Sequence, residues 1–339
     1  MKSLRLSLIL PLLLVCGLAM GQVCSEPRVA AQLHFNKEGK FKILQLTDTH
    51  VIAGDPRSER TLQNLNAVLD AEKPDFVIHT GDIVFGSPAK ESVELVLNTL
   101  VSRKIPFAVA LGNHDSDFDL TREEIYNYIR TFAGNVNTAA DLGISGCSND
   151  ILTLSGAEGL ERVIYLFDSG NRENLAGARS WGYIHADQIA WYRSASEFFK
   201  STNDGMPVPS IAFFHIPLPE YRQALYDASK GARFLTGNLG EEPACPVFNS
   251  GLYLAMREQG DVQAVSTGHD HNNDFVLQWQ GFYFIYGRYS GCDTVYNDLK
   301  PNGARVFEFT EGESGFRTWI RLSDGRVEQE TFISPLETQ

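Results

Sequence analysis

Short, polar, often glycine-containing turns in this chain collect histidine and acidic side chains. Asp48-Thr49-His50, Gly81-Asp82, Gly112-Asn113-His114-Asp115, an isolated His215 and Gly268-His269-Asp270-His271 follow one another in that order. Carboxylate, amide oxygen and imidazole are donor types that suit Mn, Fe and Zn. A single Asp-x-His or His-x-His pair means little, because a buried, hydrogen-bonded histidine explains it equally well. The ordered set is different: each member directly follows a run with strand character, and chance does not assemble such a series. Of the eight histidines, His34, His79 and His185 lack this company and read as structural or surface residues. No Gly-x4-Gly-Lys-Ser/Thr segment occurs, which argues against nucleotide-driven work.

The elements between these turns must bring them together. Residues 41–46 read as a buried strand ending at Asp48. Ser58–Glu72 carries apolar residues at Leu62, Leu65, Val68 and Leu69, one helical face. Residues 76–78 form the next predicted strand, residues 89–102 a helix, and residues 106–111 a third strand ending at Gly112. Thr121-Arg122-Glu123-Glu124 fits a capping box opening a helix through Phe132. This β-α-β-α-β order implies parallel strands with right-handed crossovers. Ligands of such sheets bind beyond the carboxyl ends of the strands, so Asp48, Asp82 and Asn113 should meet. The second half repeats the habit, with strands over 163–167, 211–214 and 262–266 and helices over 187–200 and Leu252–Gln259. Runs at Phe282–Tyr286, 304–309, Phe316–Leu322 and Val327–Ile333 suggest a meander or hairpins at the end of a second sheet.

The chain has 339 residues, 43% of them hydrophobic, with no repeat and no linker-like stretch. That predicts one domain over residues 41–335, preceded by a lead-in over 22–40. Lys2 and Arg5 precede an apolar run over 6–18 and the small-residue pattern Ala19-Met20-Gly21, as in a signal peptide cleaved before Gln22. The run is short for a membrane span, which needs about 20 residues, and no later segment is suitable. Export is therefore expected, to the periplasm or the medium in a bacterium; the absence of any Asn-x-Ser/Thr sequon fits a bacterial source. After cleavage Cys24, Cys147, Cys245 and Cys292 remain, an even number compatible with disulfides of open connectivity or with buried thiols. The net charge of −13 argues against a nucleic-acid backbone as partner. It does not exclude small phosphorylated substrates, because bound cations invert the local sign of an acidic site.

The ordered set resembles that of the calcineurin-like metallophosphoesterases, over residues 41 to at least 286. Phe213-Phe214-His215-Ile216-Pro217-Leu218-Pro219-Glu220 and Gly268-His269-Asp270-His271-Asn272-Asn273-Asp274-Phe275 are similar to the branch related to purple acid phosphatases. That branch includes plant proteins labelled probable inactive purple acid phosphatases and secreted bacterial metallophosphatases; Pro301-Asn302-Gly303-Ala304-Arg305-Val306 is most similar to the bacterial members. The resemblance implies an α/β fold of α+β, four-layer type: a β-sandwich of two mixed sheets flanked by helices, with a dinuclear metal site at one edge. Asp48, His50 and His271 would bind one ion, Asn113, His215 and His269 the other, and Asp82 would bridge them. Two such ions, divalent or trivalent Mn, Fe or Zn, clamp the attacking and leaving oxygens and make hydroxide available near neutral pH. His114 would protonate the leaving alkoxide; Asp115 and Asp270 are candidates to support the ligands, with stabilisation of its own turn equally open for Asp270. Purple acid phosphatases carry a metal-bound tyrosine where this chain has Phe85, and lack the histidine that it keeps as His50. No tyrosinate-to-iron absorption is expected. Arg57, Arg288 and Tyr221 are candidates for contact with the substrate, against an ordinary packing or surface role. The implied activity is hydrolysis of phosphomonoesters. Phosphodiester or nucleotide hydrolysis is the alternative, and a non-catalytic phospholigand-binding protein the second.

Overall fold

A computed structural model describes residues 25–227 and 231–335 of the chain. The expected signal peptide and Cys24 lie outside the described residues. The lead-in is itself part of the fold: β1 (Ala31–His34) pairs in parallel with β5 (Asp150–Gly156).

The six-stranded sheet has the order β16 (Val327–Ile333), β15 (Phe316–Leu322), β14 (Gly303–Thr310), β2 (Lys40–Leu46), β3 (Phe76–His79), β4 (Phe107–Val109). Strands β2, β3 and β4 are parallel, joined through helices α1 (Ser58–Glu72) and α2 (Ala89–Val101). The eight-stranded sheet has the order β1, β5, β6 (Gly159–Leu166), β9 (Ser210–Phe213), β11 (Val262–Thr267), β13 (Phe282–Tyr286), β12 (Val276–Trp279), β10 (Arg233–Thr236). Within it β6, β9, β11 and β13 are parallel neighbours.

Side-chain alternation explains the layering. Along β2, Phe41 and Ile43 enter the core between the sheets, whereas Leu44 and Leu46 face α1 and α2. Along β9, Ile211 and Phe213 enter the inter-sheet core and Ala212 joins the core under the second helical layer, which includes α4 (Ala186–Ser201) and α6 (Leu252–Gln259). Helix, sheet, sheet and helix layers follow, and both inner strands are buried on both faces. Gln45 ties the sheets together near the site: its amide donates to the Thr267 carbonyl (3.2 Å) and accepts from Ser266 (2.7 Å).

The predicted capping box of α3 (Arg122–Ile129) is present, although the helix ends at Ile129 rather than Phe132. The tail strands differ from expectation. Strand β13 stays in the eight-stranded sheet, but the meander β14–β15–β16 returns to the other sheet, where β14 pairs antiparallel with β2. Strand rhythm sets the hairpins; it carries no information about which free edge they join. The hairpin of β7 (Arg172–Leu175) and β8 (Ala178–Trp181), which belongs to neither large sheet, and helix α5 (Pro219–Tyr226) were not legible. The hairpin strands are short and polar and lack an apolar alternation.

Candidate metal centre

The carboxyl ends of β2, β3 and β4 deliver Asp48, Asp82 and Asn113, and those of β9 and β11 deliver His215 and Gly268-His269. All reach one edge of the sandwich. The turns are tight. Asp48, His50, Asp82 and His269 adopt positive φ angles of 55°, 46°, 54° and 77°, a region costly for residues with a Cβ and characteristic of functional sites. Close approach requires two of the glycines: a Cβ on Gly112 would lie 2.2 Å from Asp82 Oδ1, and one on Gly268 1.9 Å from Thr47 Oγ1. Asp115 holds the turns in register. Its buried carboxylate accepts the backbone N–H groups of Asp82 (3.0 Å), Ile83 (2.7 Å) and Gly112 (2.8 Å).

The donor atoms form two groups around Asp82. Ligand atoms of Asp48, His50 and His271 lie within 4.8 Å of one another, as do those of Asp82, His215 and His269. Asp82 Oδ2 stands between the groups, 3.4 Å from His50 Nε2 and 3.1 Å from His215 Nε2, while Oδ1 accepts the His114 N–H (2.7 Å). His215 Nδ1 donates to the Thr80 carbonyl (2.7 Å), which leaves the Nε2 lone pair of the neutral ring facing Asp82 Oδ2 and Asn113 Oδ1 (3.1 Å). His271 Nδ1 likewise donates to the Tyr296 carbonyl (2.8 Å), turning Nε2 toward Asp48 Oδ1 at 3.7 Å. Neither ring nitrogen of His50, nor His269 Nε2, has a hydrogen-bond partner. Buried acceptors facing one another and orphaned imidazole nitrogens are unfavourable unless a cation lies among them. This donor set fits two metal ions.

Charge follows the same logic. Burial alone would lower the basicity of His215, but the adjacent Asp82 outweighs it and raises the pKa to about 9. A proton thus occupies the place of a cation in the metal-free chain at pH 7. Burial, reinforced by the charge of His50, pushes His271 down to about 3. Burial and the neighbouring His215 push His269 well below the ordinary histidine range. Metal-free protein is expected to keep the stabilisation from His215 below the unfolded value of about 6.5 and to lose it as the pH rises through about 9. Adding Mn²⁺ at pH 7 should then release about one proton per chain. Titration calorimetry in buffers of different ionisation enthalpy measures that number, and a value of zero would mean that His215 is already neutral in the metal-free chain at pH 7.

Two of the three candidate substrate contacts are engaged in the core, and the third is paired at the surface. Tyr221 is fully buried, and its hydroxyl donates to the Ile285 carbonyl (2.8 Å) in the core. Arg288 is buried in an ion pair with Asp274 and donates to the Pro301 carbonyl (2.7 Å). Arg57 pairs with Asp55 (2.6 Å), an acid two residues away that neutralises it locally. Asp270 does not orient the imidazoles beside it. Its carboxyl accepts from Tyr286 (2.6 Å) and the Ala244 N–H (3.1 Å) and stabilises the turn, while the Tyr296 carbonyl fixes the tautomer of His271. Cys147, Cys245 and Cys292 are free thiols, so no disulfide joins the described cysteines.

Phe85 stands at the site as expected, with ring centroids 5.2 Å from His50 and 4.9 Å from His114. Several neighbours were not foreseen. Asp117 accepts from His114 Nδ1 (2.8 Å). Trp181 meets His269 edge-on (4.6 Å), and Tyr296 stacks on His271 (4.5 Å). Tyr289 packs against His271 (4.6 Å) with its buried hydroxyl unpartnered. Isolated aromatic residues in loops give no sequence signal; only Asp117, three residues after His114 in the same turn, was within reach of a motif reading.

Residues 41–273 match the family model described as calcineurin-like phosphoesterase, and the chain belongs to that family. It is 30% identical to the "Probable inactive purple acid phosphatase 28" of Arabidopsis thaliana, over 86% of this chain and 83% of that protein. It is also 30% identical to "Phosphatase DCR2" of Saccharomyces cerevisiae, over 91% of this chain and 58% of the yeast protein. Among solved structures, a dimetal phosphatase from Danio rerio superposes with a TM-score of 0.59 at 13% identity, covering 87% of this chain and 99% of that one. A purple acid phosphatase from yellow lupin seeds gives 0.53 at 13% identity, covering 91% of this chain and 55% of that one. These structures share the fold of two mixed sheets flanked by helices.

Proposed function

We propose that the chain is an exported, metal-dependent phosphoesterase that hydrolyses small phosphate monoesters. The observation that carries the reading is the donor set on both sides of Asp82, with His114 beside it. A ring nitrogen of His114 lies within 4.8 Å of ligand atoms of Asp82 and His50, and its side chain is 24% exposed. It thus faces both the metal ligands and the solvent from which a substrate arrives. Asp48, His50 and His271 would hold one ion, Asn113, His215 and His269 the other, and Asp82 both. Bound ions would draw charge from the phosphate and supply a nucleophile from water near neutral pH. His114 donates a proton to the leaving alkoxide. The buried floor of Asp115-braced turns keeps these groups in place without rearrangement.

The word inactive in the plant relative's name does not transfer readily to this chain. Phe85 removes one possible oxygen ligand, and His50 supplies a nitrogen in the same group. Export rests on the residues before Gln22, and among the described residues no helix is long and apolar enough to cross a membrane. The test is steady-state hydrolysis of p-nitrophenyl phosphate and bis(p-nitrophenyl) phosphate by the mature protein, stripped with chelator and reconstituted with Mn²⁺. Faster metal-dependent turnover of the monoester is expected. Faster turnover of the diester would reassign the chain as a phosphodiesterase. No turnover of either, with two ions bound, would favour the phospholigand-binding alternative.

A further inference from the structure

His114 is the one chemically assigned group of the site that stands on a short surface turn rather than in the buried floor. It opens the 3-10 turn His114–Ser116, and an imidazole there has free rotation unless something holds it. Asp117 closes the same turn. Its Oδ2 accepts from His114 Nδ1 at 2.8 Å, and it does not stand alone. Asn171 Nδ2 donates to Asp117 Oδ1 (2.9 Å), and Arg172 Nη1 reaches both carboxylate oxygens (3.3 and 3.2 Å). Burial alone would raise the Asp117 pKa, but the bonds from Asn171, His114 and Arg172 outweigh it and keep the group below the usual carboxylate range. Asn171 precedes and Arg172 begins the β7–β8 hairpin, and the Arg172 guanidinium lies over the ring of Trp181, 5.1 Å from its centroid. Trp181 in turn meets His269. The base of the hairpin, where Arg172 pairs with Trp181, therefore touches the site twice, at the Asp117–His114 pair and at a candidate metal ligand.

We propose that Asp117, clamped by Asn171 and Arg172 of the β7–β8 hairpin, is the positioning residue that holds His114 with Nε2 toward the phosphate. The inference rests on the proposed phosphoesterase reading and adds the device that aims its acid. As the bond between phosphorus and the leaving oxygen breaks, its electron pair passes to that oxygen, which takes the Nε2 proton. Water supplies the oxygen added to phosphorus, and the proton that it loses restores Nε2–H once the alcohol has left. The Nδ1 proton stays on its hydrogen bond to Asp117 throughout, which fixes the tautomer left behind.

The contribution of an acid grows as the leaving group becomes more basic, so the test compares phenyl phosphate with p-nitrophenyl phosphate. Asp117→Ala is expected to lower kcat on phenyl phosphate by about 10- to 100-fold and on p-nitrophenyl phosphate much less, with KM and metal content unchanged. Asp117→Asn keeps an acceptor for Nδ1–H and should restore most of the loss. A second readout needs neither metal nor turnover: at a pH alkaline enough for the ring to be neutral, ¹⁵N shifts of His114 in metal-free protein should report Nδ1–H in the parent chain and in Asp117→Asn, and a tautomer mixture in Asp117→Ala. Equal losses on both esters, or ring shifts unaffected by Asp117→Ala, would overturn the proposal. If the parent chain hydrolyses neither ester, the phosphoesterase reading fails, and the ring shifts alone then decide whether Asp117 orients His114.

Discussion

Replacing His114 by alanine is expected to lower kcat for monoester hydrolysis by about 10²- to 10⁴-fold, with two metal ions per chain and an unchanged melting temperature. The argument is geometric. His114 is anchored by its backbone, whose N–H donates to Asp82 Oδ1 (2.7 Å), and the Ala variant keeps that bond. The ring itself makes one hydrogen bond, to the part-exposed Asp117, and edge contacts with Phe85 and His50. Exposed pairs of this kind contribute about 0–1 kcal/mol to stability, so folding should not notice the change. Each candidate metal group would also retain its own carboxylate and histidine donors. Metal analysis of the purified variant beside its kinetics checks the claim. Loss of an ion together with activity would make His114 a ligand, and retention of full activity would require a different acid.

The second large effect is on stability. Arg122→Ala is expected to destabilise the fold by about 3–5 kcal/mol, because removing one partner of a buried pair leaves the other charge uncompensated. Arg122 donates to both oxygens of Asp168, with Nη2 2.6 Å from Oδ1, and the Asp168 side chain is completely buried. The same guanidinium donates to the carbonyls of Leu111 (2.9 Å) and Gly112 (2.6 Å), directly before Asn113 and His114. The variant should therefore lose activity beyond its loss of stability. Burial alone would raise the Asp168 pKa, but Arg122 outweighs it and holds the carboxyl below the ordinary range. Its contribution is thus fully present above the unfolded value of about 3.9 and lost as the pH falls through the lower folded value. Stability near pH 7 is unaffected by that titration. Urea unfolding of parent and variant at pH 7 measures the difference; a change under 1 kcal/mol would show that water or another cation takes the place of Arg122.

The meeting of these residues was legible because each candidate ligand sits at or just past the end of an apolar strand, and parallel strands joined by helices must present those ends on one edge. Asp48, Asp82 and Asn113 follow from β2, β3 and β4 on that ground, and His215 and His269 from β9 and β11. Helix α1 was legible to the residue, since Leu65, Val68 and Leu69 form its buried face. Roles were harder than positions. Arg57, Arg288 and Tyr221 have the right chemistry for a phosphate, yet Asp55, Asp274 and the Ile285 carbonyl already engage them. A sequence records what a side chain can bond and not which partner reaches it first.

The sequence by itself determined the β-α-β-α-β order of the first half and the place of the candidate donor residues at the carboxyl ends of strands, because periodicity and strand-end chemistry are local properties. Only the tertiary structure decided that the β14–β16 meander returns to β2, that carbonyls of Thr80 and Tyr296 set the histidine tautomers, and that a polar hairpin brings Asn171, Arg172 and Trp181 to the metal centre. Each of these joins segments far apart in the chain through edges, backbone groups or isolated side chains, and none of those leaves a pattern in the order of residues.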